Sequence, residues 1–167
     1  MDVCEAFRRA KEYVKSFDKG CKNKSIMFVG QVGSGKTHLS MAIANSLMKD
    51  GIGVLYMPYR DNIISIKQNM MDEEYYRKVM NKFKRAKVLL IDDLFKGSIS
   101  GSDVNIMFEI INYRYLNGLP VIVSCEKGID EIMNIDEAIG SRLYEMSCGY
   151  VASLSGKRLN YRMYGKS

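Results

Sequence analysis

Gly30-Gln31-Val32-Gly33-Ser34-Gly35-Lys36-Thr37 sets three glycines, a lysine and a hydroxyl at the G-x-x-x-x-G-K-[ST] spacing, which is suited to holding nucleotide phosphates. A triphosphate needs dense positive potential without bulky side chains in the way. Glycines let the backbone curl so that successive N–H groups face the phosphates, and a helix starting near Gly35 adds the positive end of its dipole. Lys36 is the cation expected to reach the β- and γ-phosphates, and the Thr37 hydroxyl is a ligand for Mg²⁺. The binding segment extends to His38, the one histidine of the chain, which opens the helix and cannot build a metal site alone. A second set of groups lies at Val88-Leu89-Leu90-Ile91-Asp92-Asp93-Leu94. An apolar strand runs into two acids, a Walker B pattern. Asp92 is expected to hold Mg²⁺, usually through water, and Asp93 to polarise the attacking water. A chance Gly-rich turn and an Asp-rich turn are the plain alternatives. They account for neither the strand–loop–helix setting of the first segment nor acids at the carboxyl end of a strand in the second.

The elements that must position these groups alternate along the chain. Cys4 to Phe17 reads as a cationic helix, broken at Asp18-Lys19-Gly20. Ile26 to Val29 is a strand entering the loop, and a helix leaves it towards Lys49. Asp50-Gly51-Ile52-Gly53 stops that helix, and Val54 to Met57 is a second strand ended by Pro58. Helical patterns cover Arg60 to Met70 and Glu73 to Arg85, ahead of the acid-bearing strand. After a flexible loop over 96–102, Asp103 is expected to cap a helix running to about Asn117. Val121 to Ser124 is the fourth strand, Ile129 to Met133 and Glu137 to Met146 are short helices, and Tyr150 to Leu154 is the last strand before a basic tail. Strands alternating with helices predict a parallel sheet of five strands with right-handed crossovers, in a three-layer α/β arrangement.

At 167 residues the chain is expected to form one domain with a sizeable core. No apolar run reaches the length of a membrane span, and the start lacks the apolar stretch of a signal peptide. The four cysteines, Cys4, Cys21, Cys125 and Cys148, are scattered, so neither a zinc site nor a disulfide framework is indicated, and reduced thiols in the cytoplasm fit. The formal net charge of +6 suits a polyanionic partner beyond ATP, with ordinary solubility charge as the alternative.

The order of motifs resembles the AAA+ ATPase domain of bacterial and phage replicative-helicase loaders of the DnaC/DnaI type, close to the IstB-like transposition ATPases. The residues carrying the likeness are FVGQVGSGKTHLSMAIANSL, VLLIDDLFKG, EIINYRYLNGLPVIVS, IDEAIGSRLYEM and GKRLNYR, from about residue 5 to the end. The P-loop is common to many ATPases; the other segments are more specific. The resemblance implies a P-loop NTPase of AAA+ type occupying residues 1–167, binding ATP or ADP with Mg²⁺. It implies an arginine finger at Arg142, reaching the γ-phosphate of a neighbouring subunit, where the plain alternative is a surface arginine beside the apolar stripe Ile139, Leu143 and Met146. It implies a C-terminal nucleotide contact at Arg162, and a nucleotide-sensing position at Ser124. Relatives often carry Thr-Ser-Asn there; this chain has Ser124-Cys125-Glu126. Full-length loaders carry a helicase-binding region ahead of the ATPase domain, whereas this chain starts almost at that domain.

The same resemblance implies a replicative DNA helicase, single-stranded DNA and further copies of the chain as partners. The candidate DNA surface is the helical insertion after the second strand, with Arg60, Lys67, Arg77, Lys78, Lys82, Lys84, Arg85 and Lys87 interleaved with Tyr59, Tyr75, Tyr76 and Phe83. Cations there could follow phosphates and aromatics could stack bases. A solvated helix face with buried aromatics is the plain alternative, since Asp61, Asp72, Glu73 and Glu74 dilute the charge. The leading expectation is an ATP-hydrolysing helicase loader of DNA replication. The alternatives are an IstB-like ATPase assisting a transposase and a nucleotide-gated DNA-binding module with little turnover. A small-molecule kinase would need a second substrate pocket and an arginine-bearing lid, neither of which the sequence offers.

Overall fold

The computed structural model describes residues 3–17 and 25–156. Its elements follow the chain as α1 (Val3–Ser16), β1 (Ile26–Gly30), α2 (Lys36–Lys49), β2 (Val54–Pro58), α3 (Tyr59–Gln68), α4 (Glu73–Arg85), β3 (Val88–Leu94), α5 (Gly101–Leu116), β4 (Val121–Cys125), α6 (Ile129–Ile135), α7 (Glu137–Met146) and β5 (Val151–Leu154). The strands form one sheet in the order β2-β3-β4-β1-β5, and every pairing is parallel.

The two-residue period of a strand divides the core. Ile26 and Phe28 of β1, Val88 and Leu90 of β3, and Ala152 and Leu154 of β5 meet α1 and α2 through Ala6, Ala10, Tyr13, Leu39, Ile43 and Leu47. The intervening residues, Met27 and Val29, Leu89 and Ile91, Val121 and Val123, meet α3 to α7. The result is the expected α/β architecture of three layers. Burial on both faces explains why the strands read as continuous apolar runs.

The strand order places β1 between β4 and β5 and sets β3 next to β4, so the carboxyl ends of β1, β3 and β4 converge. Ligands of open parallel sheets bind at such ends. The β3–β4 register shifts between Ile91 and Leu94, where Asp93 and Phe95 take left-handed backbone angles of 57° and 56°. That conformation is uncommon for aspartate and costly for phenylalanine. The fully buried Phe95 ring, edge-on to Tyr59 at 5.7 Å, holds it.

One helix start differs from expectation. Ser100, not Asp103, is the N-cap of α5. The Ser100 hydroxyl accepts the Asp103 N–H, and the Asp103 carboxylate accepts the Ser100 N–H, a reciprocal capping box. The Asp103 carboxylate needs only the cap's backbone N–H; the Ser100 hydroxyl supplies the acceptor that makes the exchange reciprocal.

Candidate nucleotide-binding site

The loop between β1 and α2 turns through three glycines with positive φ: Gly30 at 120°, Gly33 at 75° and Gly35 at 89°. At Gly30 a side chain is excluded twice over, because a Cβ there would lie 2.3 Å from the Leu154 carbonyl oxygen of β5. The loop is tied internally. The Ser34 hydroxyl donates to the Gln31 carbonyl at 2.8 Å, and Lys36 Nζ donates to the same oxygen at 2.7 Å. The Gln31 side chain accepts the Gly156 N–H at 3.2 Å, fastening the loop to the segment after β5. Lys36 is almost fully buried. Burial pulls its ammonium below the usual lysine range, an effect opposed by Glu126 and Asp93. A buried cation flanked by curled backbone N–H groups fits a phosphate, whose charge offsets the cost of burial.

Thr37 and Asp92 meet as their chemistry requires. The Thr37 hydroxyl donates to Asp92 Oδ1 at 2.9 Å. The Ser124 hydroxyl also donates to Asp92 Oδ1 and accepts the Asp93 N–H at 2.8 Å. The Tyr56 hydroxyl donates to Asp92 Oδ2 at 3.1 Å, and with Asp92 beside it burial pushes that phenol up to about 12. Among the described residues no cluster of three or more His, Cys, Asp or Glu side chains could hold a metal by itself. One hydroxyl and one carboxylate suit Mg²⁺, which keeps waters and takes further oxygens from substrate phosphates.

These groups border a cavity of about 630 Å³, lined by Val32, Gly33, Gly35, Lys36, Thr37, His38, Leu39, Asp93, Lys96 and Glu126. Of the residues named from sequence, Val32, Gly33, Gly35, Lys36, Thr37, His38 and Asp93 reach its wall. Gly30, Gln31 and Ser34 shape the loop behind it. Ser124 and Asp92 are not in its wall; the Ser124 hydroxyl bonds the Asp92 carboxylate and the Asp93 N–H, while Glu126 lines the cavity. Arg162 lies outside the described residues. Sequence reasoning did not single out Lys96, Glu126 or Tyr56. Lys96 and Glu126 follow the carboxyl ends of β3 and β4, where a charge close to Asp93 or Ser124 was a signal; Tyr56, in the middle of β2, gave none.

Arg142 does not line this cavity. Its Nε donates to Asn112 Oδ1 and one terminal nitrogen to the Ala138 carbonyl, both at 3.0 Å. Its guanidinium carbon lies 5.5 Å from the ring centres of both Phe108 and Tyr115. The apolar stripe beside it, Ile139, Leu143 and Met146, is buried. The aromatics of the insertion are also engaged. Tyr59 and Phe83 are buried, Tyr75 shares a hydrogen bond with Ser65, and Tyr76 donates to Glu109. Two of the four rings named for base stacking, Tyr59 and Phe83, are therefore packed into the core, whereas Tyr75 and Tyr76 are partly exposed. Lys67 pairs with Asp103 and Lys84 with Glu109, whereas Arg60, Arg77, Lys78, Lys82, Arg85 and Lys87 are exposed.

Comparison with known proteins adds family and fold. Residues 8–138 match the family described as IstB-like ATP binding protein. The phage-like element PBSX protein XkdC of Bacillus subtilis is 39% identical over 98% of this chain and 64% of its own length. This chain spans 54% to 64% of the length of two such curated relatives. A crystal structure of the DnaC helicase loader superposes with a TM-score of 0.71 at 25% identity, over 93% of this chain and 92% of that one. AMPPCP-bound DnaA from Aquifex aeolicus does so with a TM-score of 0.76 at 24% identity, over 96% and 50%. These likenesses match the expected AAA+ P-loop fold.

Proposed function

Because this chain belongs to the family of IstB-like ATP-binding proteins, we propose that it hydrolyses ATP with Mg²⁺ and acts in DNA replication as a helicase loader, delivering a replicative helicase onto single-stranded DNA. The observation that carries the ATPase reading is the convergence of Lys36, Thr37 and Asp93 on one cavity at the strand ends, with Asp92 hydrogen-bonded to Thr37 behind its wall. Lys36 binds the phosphates. Thr37 and Asp92 would hold Mg²⁺, which would neutralise phosphate charge when bound. Asp93 orients the water that attacks, its carboxylate held at the cavity wall by the left-handed turn. The helicase-loader reading is supported by the likeness to the DnaC loader over nearly the full length of both chains. Exposed cations of the insertion would follow the DNA backbone. A second reading, an ATPase assisting a transposase, is supported by similarity to an insertion sequence IS21 putative ATP-binding protein of Pseudomonas aeruginosa.

Lys36→Ala should abolish tight binding of ATP and ADP. Asp93→Asn should keep binding and lose hydrolysis by about two orders of magnitude or more. Nucleotide titration followed by steady-state phosphate release measures both. Equal affinity in wild type and Lys36→Ala removes the site assignment. Loading of a hexameric helicase onto single-stranded DNA, set beside stimulation of a cognate transposase, decides between the two biological readings.

A further inference from the structure

Two lysines line the cavity, and the phosphate loop accounts for one of them. The other, Lys96, lies in the turn after β3. Its N–H returns to the Asp93 carbonyl at 3.1 Å. The left-handed angles at Asp93 and Phe95 fold the chain so that the Lys96 ammonium meets Asp93 Oδ2 at 2.7 Å and Glu126 Oε1 at 3.0 Å. Burial of Phe95 and Leu94 fixes the turn. Lys96 is therefore held at the cavity wall by packed backbone, between the acid read as catalytic and a carboxylate from the end of β4.

The charges create a problem for a triphosphate. Asp93 and Glu126 both face the cavity that would receive the phosphates, and Lys96 is the cation between them. The three side chains remain 30% to 38% exposed, so they are open to an incoming anion. Two carboxylates near a γ-phosphate repel it, whereas a diphosphate ends one phosphate earlier. An ammonium has three donors on a four-carbon stem, of which the carboxylates take two. Its hydrogen bond to Asp93, opposed by partial burial and joined by Glu126, holds it above the usual lysine range, so it is charged at any physiological pH.

We propose that Lys96 is the residue by which this site recognises the terminal phosphate of a nucleoside triphosphate, its ammonium contacting that phosphate and releasing the Asp93 carboxylate as it does so. Diphosphate leaves the Lys96–Asp93 pair closed, and triphosphate opens it. Glu126 then serves as the anchor that keeps Lys96 at the wall. This proposal rests on the nucleotide-site reading above.

The test measures binding, not turnover. Affinities for a non-hydrolysable ATP analogue and for ADP, both with Mg²⁺, are titrated by fluorescence for wild type, Lys96→Met, Lys96→Arg and Lys36→Ala. Lys96→Met should weaken the triphosphate analogue by about tenfold or more and leave ADP within about twofold, as loss of one charge-assisted hydrogen bond predicts. Lys96→Arg, which keeps the charge, should recover most of the preference. Equal losses for both nucleotides, or no loss for either, overturn the proposal. Lys36→Ala separates the failures: if it abolishes both affinities while Lys96→Met changes neither, the role of Lys96 alone falls. If Lys36→Ala binds both nucleotides normally, the nucleotide site itself falls.

Discussion

The Ser124 hydroxyl is the point through which strand β4 controls the acids of strand β3. It donates to Asp92 and accepts the Asp93 N–H, so one buried oxygen fixes the carboxylate read as the metal ligand and the backbone of its neighbour. Ser124→Ala leaves a buried N–H without its acceptor and should lower stability by about 1–3 kcal/mol. Hydrolysis should fall more than nucleotide affinity, because the proposed grip on the phosphates comes from the loop and not from Ser124. Thermal melts, ATP titration and steady-state rates on the variant check this; unchanged hydrolysis in a destabilised protein would limit Ser124 to the fold. At this scale Lys36, Thr37, Asp92 and Asp93 were readable from sequence, since contiguous spacing encodes their geometry. The contacts of Lys96, Glu126 and Tyr56 were not, because these residues come from β2 and from the turns after β3 and β4, and only the β2-β3-β4 order brings them to Asp92 and Asp93.

Helix α5 shows how an element is held by charges whose partners lie elsewhere. Asp103 accepts from the Ser100 backbone and hydroxyl and from Lys67 of α3. Burial pushes its carboxyl up, but the Lys67 and Ser100 hydrogen bonds outweigh that and leave it below the usual carboxylate value. A depressed carboxylate contributes stability above its unfolded value and loses it as pH falls through the folded one. Asp103→Asn should therefore cost about 1 kcal/mol at neutral pH, and the difference from wild type should shrink below about pH 4. Denaturant unfolding of both proteins at several pH values measures it. A constant difference across that range would mean that shape, not charge, carries the cap. At the other end of the helix, the fully buried Arg114 donates to the Phe83, Lys84, Ala86 and Pro120 carbonyls, closing the end of α4. Burial lowers its guanidinium to about 10, still charged at neutral pH. The elements themselves were legible from periodicity and turn residues. These two clamps were not, because a lysine and an arginine on amphipathic helices read as solvated, and burial comes only with the layering of α3, α4 and α5.

At the scale of the whole molecule, each face of the sheet is covered by helices, and Arg142 ends up on α7, tied to α5 instead of facing its own cavity. Asn112, Ala138, Phe108 and Tyr115 hold Arg142. A finger that serves a neighbouring subunit has no reason to line its own pocket, whereas a structural arginine would be held in the same way, so the two roles separate only on assembly. If Arg142 acts in trans, the rate per subunit should rise with protein concentration, and Arg142→Ala and Lys36→Ala should each be inactive alone. Mixed in equal amounts they should recover up to about a quarter of the wild-type rate, because a random pairing joins an intact loop to an intact finger in that fraction of interfaces. Arg142→Lys should not substitute, since a point charge lacks the planar fork that grips a phosphoryl group. Phosphate release measured across dilution and mixing decides it. Full activity in an Arg142→Ala variant that sediments as a monomer would assign Arg142 to the α5–α7 contact alone, with the two aromatic rings and Asn112 as the partners it was built to hold.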